Sequence, residues 1–106
     1  MSERKRLSRL EPEVRREQIL ASAVSLARRK GYSKITRDGI AEAAKCSTGL
    51  VTSRFGTMTA LRRDIMREAI RLEILEILAQ GLASRDRHAM KAPQELKDKA
   101  VALLAL

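Results

Sequence analysis

The chain has 106 residues, 44% of them hydrophobic, which suffices for one small core and a short extension but leaves no room for a second full domain. Lys and Arg number 22 against 13 Asp and Glu, a formal net charge of +9, and this favours a polyanionic partner, nucleic acid first and an anionic membrane second. Aromatic residues make up only 2%, which counts against RNA modules that stack bases on rings. A single cysteine, Cys46, and a single histidine, His88, give neither an internal disulfide nor a zinc cluster, so no metal or other cofactor is expected. The charged start MSERKRLSRL lacks the apolar core of a signal peptide, and no run approaches the roughly 18 apolar residues of a membrane span. A soluble, cytoplasmic protein with no membrane partner is the expectation.

The excess charge is local. Residues 1 to 10 carry four basic groups, Arg4, Lys5, Arg6 and Arg9, and one acidic group. The segment from Arg28 to Arg37 carries five basic groups, Arg28, Arg29, Lys30, Lys34 and Arg37, and no acidic one. Together they supply a net eight of the nine charges. Such clusters are either solvated faces or binding surfaces.

In chain order, the spacing of Val14, Ile19, Leu20, Ala23, Val24, Leu26 and Ala27 predicts a helix from Glu13 to Lys30, with Pro12 at its start and Gly31 as its stop. The Arg28, Arg29 and Lys30 side chains then face the negative end of its dipole, a sufficient structural reason for them. Thr36 caps a second, short helix through Ala44, with Ile40, Ala43 and Ala44 inward. Ser47 or Thr48 caps a third, to about Phe55, on which Val51 and Phe55 share a face. Tyr32 and Phe55 read as core anchors.

Thr57 or Thr59 opens a long fourth helix to about Gln80, closed by Gly81. On it Leu61, Ile65, Ala69, Leu72, Leu75 and Ala79 form one stripe, and Met66, Ile70, Ile74, Ile77 and Leu78 form another, nearly opposite. A small bundle buries one stripe, so the second calls for the C-terminal segment, a partner chain, or both. Leu82 to Lys91 gives no assignment. Pro93 begins a last helix with Leu96, Ala100, Leu103 and Leu104 on one side, and packing onto the fourth helix is the simplest way to cover so apolar an end.

Two short helices joined around Lys45 to Ser47 are what a helix-turn-helix requires, although an ordinary helical hairpin has the same spacing. A helix entering the major groove must lack bulk on its leading face, so that its backbone approaches phosphates while short side chains reach base edges. Ser47, Thr48, Gly49, Thr52 and Ser53 meet that condition.

The run from Arg16 to Leu61 resembles the TetR-family DNA-binding domain, with Ile19 and Leu20, Gly31 and Tyr32, IAEAAKCSTG from Ile40 to Gly49, Phe55, and Ala60 with Leu61 in matching, ungapped positions. The resemblance covers roughly the first 80 residues. It implies an all-α fold: a three-helix DNA-binding head whose third helix reads DNA, a long fourth helix, and a short C-terminal helix. Residues 1–12 then form a basic arm, 13–56 the helix-turn-helix domain, and 57–106 the connecting and dimerisation helices.

The chain departs from the family pattern at several positions. The family's usual Gly and Val in the turn are Lys45 and Cys46 here, so Lys45 either adopts a left-handed conformation or marks an altered turn, while Cys46 packs inward. The usual tyrosine, histidine and lysine are Thr52, Arg54 and Met58 here, so two customary phosphate contacts are replaced. Family members typically continue for about another hundred residues of effector-binding and dimerisation domain. The tail after Gly81 is too short to enclose a ligand pocket of several hundred Å³, so no small-molecule effector is expected.

The expected activity is that of a sequence-specific repressor, not an enzyme, binding a palindromic operator in double-stranded DNA as a homodimer. Lys45, Thr48, Gly49, Thr52 and Ser53 are the expected base contacts. Lys34, Thr36, Arg37, Ser47, Arg54 and Thr57 are the expected phosphate contacts. Arg4, Lys5, Arg6 and Arg9 are either a disordered tail or a minor-groove arm. Met66, Ile70, Ile74, Ile77, Leu78, Leu103 and Leu104 are the expected dimer surface. The alternative is a protein-interaction or anti-repressor module that heterodimerises with a full-length relative.

Overall fold

The computed structural model describes residues 11–105, and every regular element among them is helical. The arm residues Arg4, Lys5, Arg6 and Arg9 lie outside the described residues. The elements are α1 (Pro12–Lys30), a single 3₁₀ turn (Tyr32–Lys34), α2 (Arg37–Ala44), α3 (Thr48–Phe55), α4 (Met58–Arg71), α5 (Leu75–Ala83), α6 (Arg87–Met90) and α7 (Gln94–Leu104).

Helix α1 starts with Pro12, whose missing amide hydrogen costs nothing in the first turn, and carries Glu13 at its positive end and Arg28, Arg29 and Lys30 at its negative end. It buries Ile19, Leu20, Ala23, Val24, Leu26 and Ala27 against α2, α4 and the 3₁₀ turn. Burying each large aliphatic side chain contributes about 1.5–3 kcal/mol. Ile40, Val51 and Phe55 close this core from α2 and α3, and Leu61, Ile65 and Ala69 close it from α4.

The next three helices begin alike. The hydroxyls of Thr36, Ser47 and Thr57 accept from the backbone amides of Gly39 (3.0 Å), Leu50 (3.1 Å) and Ala60 (3.1 Å). Each satisfies one amide that the first turn leaves without a partner, worth about 1 kcal/mol.

The fourth helix is shorter than the periodicity predicts. It stops at Arg71, because Glu73 turns left-handed (φ 54°). The amide of Ile74 then donates to the Ala69 carbonyl (2.8 Å) and that of Glu73 to the Ile70 carbonyl (3.1 Å). That bond pair is a Schellman stop, a motif in which glycine usually holds the left-handed position. Gly81, the expected terminator, sits inside α5 instead, and a Cβ there would lie 2.8 Å from the Ala89 Cβ and 2.4 Å from the Met66 methyl. The small residue is needed for helix contact, not for chain reversal.

Turning back at Glu73 covers the second stripe with the chain itself. Met66, Ile77 and Leu78 are buried beneath α6 and α7, so these three expected dimer-surface residues belong to the monomer core. Ile70 and Ile74 are half-buried against it. From the other stripe Leu72 emerges into solvent at 49% exposure. Helix α7 packs chiefly on α5, through Leu96 and Ala100. Leu103 and Leu104, expected on that same face, are 36% and 52% exposed. At 100° per residue Leu103 stays within about 20° of Leu96 and Leu104 within about 40° of Ala100, so the expected face is kept and its last turn is left uncovered.

Candidate nucleic-acid interface

The turn between α2 and α3 consists of Lys45, Cys46 and Ser47. Lys45 is left-handed (φ 56°, ψ 47°), its amide donates to the Glu42 carbonyl (3.2 Å), and the Cys46 amide donates to the Ala41 carbonyl (2.9 Å). This is the same stop as at Glu73, and it resolves the two readings of Lys45 in favour of the left-handed conformation. Cys46 packs against the core as a small hydrophobe. Ser47 then caps α3 at once, so the chain reverses within three residues.

Helix α3 is held from below by Val51 and Phe55, which are 1% and 5% exposed. Its opposite side presents Thr48, Gly49, Thr52 and Ser53 to solvent, with Lys45 exposed at the turn. All five expected base contacts thus lie on the open side of one two-turn helix and its entry. A Cβ at Gly49 would meet only the Ser47 hydroxyl, at 3.8 Å, so the absence of a side chain there answers no need of the protein interior. It leaves the helix face low enough for close approach by a duplex.

Around this face the expected phosphate contacts divide. Lys34 is exposed at the end of the 3₁₀ turn. Thr36, Ser47 and Thr57 are exposed; their hydroxyls accept the capping bonds and keep their own hydrogens to donate, beside the free amides and the positive dipole ends of three helix N-termini. Arg54 lies along the edge of α3, donating to the Ser53 hydroxyl (3.2 Å), with its Nε buried and unpartnered. Arg37, expected on a phosphate, lies across the surface onto α3 and its exit. One terminal nitrogen donates to Thr52 Oγ1 (2.7 Å) and the other to the Gly56 carbonyl (3.2 Å). The hydroxyl of Thr52 in turn donates to the Thr48 carbonyl (3.1 Å), so this expected base reader has no hydrogen left for a base.

Two supporting clusters have no counterpart in the sequence reading. Arg16 on α1 lies over the Phe55 ring (4.6 Å to the centroid) and pairs with Asp64 of α4 (2.8 Å), which also accepts from Arg63 (3.1 Å). This ties the end of the recognition helix to α1 and α4. A carboxylate at Asp64, between Leu61 and Ile65 on a buried stripe, was the available signal, since a buried charge requires a partner. On the far side Tyr32 joins the head to the C-terminal helices: its amide donates to the Gln80 side chain, and its hydroxyl donates to Asp86 (2.9 Å) beside the Arg62 carbonyl (3.2 Å). Burial first, and then the Asp86 bond, raise the Tyr32 pKa well above the usual phenol value. Asp86 also caps α6 through the amides of His88 (2.9 Å) and Ala89 (3.0 Å).

A compact three-helix head, a tight turn, and a second helix presenting small groups above two buried anchors define a helix-turn-helix DNA-binding domain. The family model described as bacterial regulatory proteins, tetR family, matches residues 19–65, a span from the core of α1 into α4. Residues 19–65 thus match the N-terminal helix-turn-helix DNA-binding domain of that family of transcriptional regulators. No curated protein and no solved structure matches the chain. Among the described residues no helix is long and apolar enough to cross a membrane, and no three potential metal ligands cluster.

Proposed function

We propose that the protein is a sequence-specific repressor that binds a palindromic operator as a homodimer, without a small-molecule effector and without enzymatic activity. The observation that carries the reading is the open face of α3, where Thr48, Gly49 and Ser53, with Lys45 at its entry, stand clear of the anchors Val51 and Phe55. These are the base-reading groups, and Thr52 adds its methyl group to the same face. Lys34, Arg54 and the amides at Thr36, Ser47 and Thr57 serve as phosphate contacts, with Arg4, Lys5, Arg6 and Arg9 in the adjacent minor groove. Residues 13–56 act as the DNA-binding unit and 57–106 as its support and dimer contact, in the cytoplasm on the nucleoid.

The C-terminal core is closely packed. Met66, Ile77, Leu78 and Ala89 are at most 1% exposed, and the gap at Gly81 is too small for one extra carbon. Among the described residues the exposed large apolar groups are Val14, Leu72, Met90, Val101, Leu103 and Leu104, and of these Leu72, Met90, Val101, Leu103 and Leu104 lie on the C-terminal side available to a second copy.

The test is to select binding sites from random duplexes and measure the mass of the free and bound protein by light scattering. A dimer that enriches an inverted repeat, with half-site centres about 34 Å apart or a multiple of that, is the expected result. A monomer with no sequence preference would overturn it in favour of a module that needs a full-length relative as partner.

A further inference from the structure

We infer that Arg37 is a positioning residue for sequence reading, a brace that fixes the rotation of α3, and that its charge is not spent on a phosphate. The inference rests on the DNA-binding reading above. Its grounds lie in the two acceptors of the guanidinium. Thr52 and Gly56 are four residues apart, so they lie on one stripe of α3 and its exit. Val51 and Phe55, the buried anchors, form the stripe next to it, about 100° round the helix axis. One stripe of contacts on a helix of eight residues leaves it free to roll. Two adjacent stripes fix it, and the roll of α3 decides which bases Thr48, Gly49 and Ser53 face.

The details suit a brace better than a solvated cation. The Arg37 side chain is half-buried, and both its terminal nitrogens are spent on α3 and its exit. The Gly56 carbonyl lies at the negative end of the α3 dipole, where a cation is favoured. Gly56 itself has φ 77° and ψ −127°, a conformation that glycine adopts without strain, so its carbonyl is placed where only this residue type places it easily. Thr52 Oγ1 accepts from Arg37 while its one hydrogen goes to Thr48, so the threonine links the brace to the helix backbone.

The test compares wild type, Arg37→Ala, Arg37→Lys, Thr52→Val and the Arg37→Ala/Thr52→Val double variant on the duplex enriched by wild type and on a random duplex of equal length, across a salt series. For a brace, Arg37→Ala weakens the enriched duplex about tenfold, leaves the random duplex within about twofold, and leaves the slope of log affinity against log salt unchanged. Arg37→Lys behaves as Arg37→Ala, because one ammonium does not bridge both acceptors in the fixed geometry of the fork. Thr52→Val gives a similar loss and the double variant adds little to it, the signature of one shared interaction.

The inference is overturned if Arg37→Ala weakens both duplexes equally with the slope reduced by about one, which marks a phosphate contact. Rescue by Arg37→Lys overturns it as well. So does a lowered melting temperature with both affinities unchanged, which marks a purely structural residue. If wild type enriches no sequence, the repressor reading itself fails, and this inference with it.

Discussion

The head and the C-terminal segment solve the same problem, starting and stopping short helices, with different chemistry at the starts and one device shared by three of the stops. In the head, Thr36, Ser47 and Thr57 each cap a helix with a side-chain oxygen. In the C-terminal segment α5 begins at Ile74 and α7 at Pro93 with no side-chain cap, and only the four-residue α6 has one, from Asp86. At the stops the regions agree. Lys45, Glu73 and Arg85 are all left-handed, with φ of 56°, 54° and 59°. Each is followed by the same pair of backward amide bonds, which at Arg85 run from Asp86 to Gly81 (2.8 Å) and from Arg85 to Leu82 (3.1 Å). The starts of α2, α3 and α4 are written in side chains, and α1 and α3 stop on glycines, Gly31 and Gly56, whereas the left-handed stops at Lys45, Glu73 and Arg85 fall on charged residues that have no preference for that conformation.

If the two regions share one core through α4, a lesson in the C-terminal segment must be felt in the head. Gly81→Val places a branched side chain against Ala89 and is expected to destabilise the protein by about 3 kcal/mol, read as an earlier midpoint in urea with one cooperative transition. Two separate transitions by circular dichroism and Tyr32 fluorescence would break the comparison, since the regions would then unfold independently. Asp86→Ala has the next largest effect, about 2 kcal/mol, because it removes both a cap and the partner of a buried hydroxyl.

The Tyr32–Asp86 bond adds a pH signature. The folded pKa of Tyr32 lies above its ordinary value of 10.0, so the folded state holds the phenolic proton more tightly than the unfolded state. The stabilisation is complete below about pH 10 and is lost as pH rises toward the folded value. From about pH 10 upward wild type is expected to lose stability relative to Tyr32→Phe. Parallel curves for the two proteins would show that the hydroxyl does not couple the regions.

The head was legible because its signals are local and chemically explicit. The capping hydroxyls, Gly31 after the first helix, and the i, i+4 pair Val51 and Phe55 all stand in the sequence where the structure uses them. Glu73 and Arg85 carry no comparable mark. The stripe through Met66, Ile70, Ile74, Ile77 and Leu78 continues in phase across the break, so periodicity alone predicts one long helix. The clue was that the stripe has two sides: a helix apolar on opposite faces either finds a partner or folds back, and here it folds back. In the candidate site the exposure of Lys45, Thr48, Gly49, Thr52 and Ser53 followed from the anchors, but the turn of Arg37 onto α3 did not. A guanidinium reaches several acceptors from one backbone position, and only the packed structure shows which it takes.

The smallest effects sharpen the comparison most, because they separate a stop that serves only folding from one that also faces the ligand. Replacing a left-handed non-glycine residue with glycine relieves a clash of its Cβ with the following carbonyl, a gain of about 1 kcal/mol after glycine's extra chain entropy. Glu73→Gly and Lys45→Gly are therefore both expected to raise the urea midpoint by a similar amount. Their effects on DNA binding should differ. Glu73 follows the C-terminal end of α4, whose N-terminal end adjoins α3, and its loss should leave affinity unchanged at each salt concentration. Lys45 is the exposed cation at the entry to the recognition helix, and Lys45→Gly should make the protein more stable yet weaken its binding. A reduction of about one in the salt slope would place the ammonium at a phosphate. A loss confined to the enriched duplex, with the slope unchanged, would place it at a base edge.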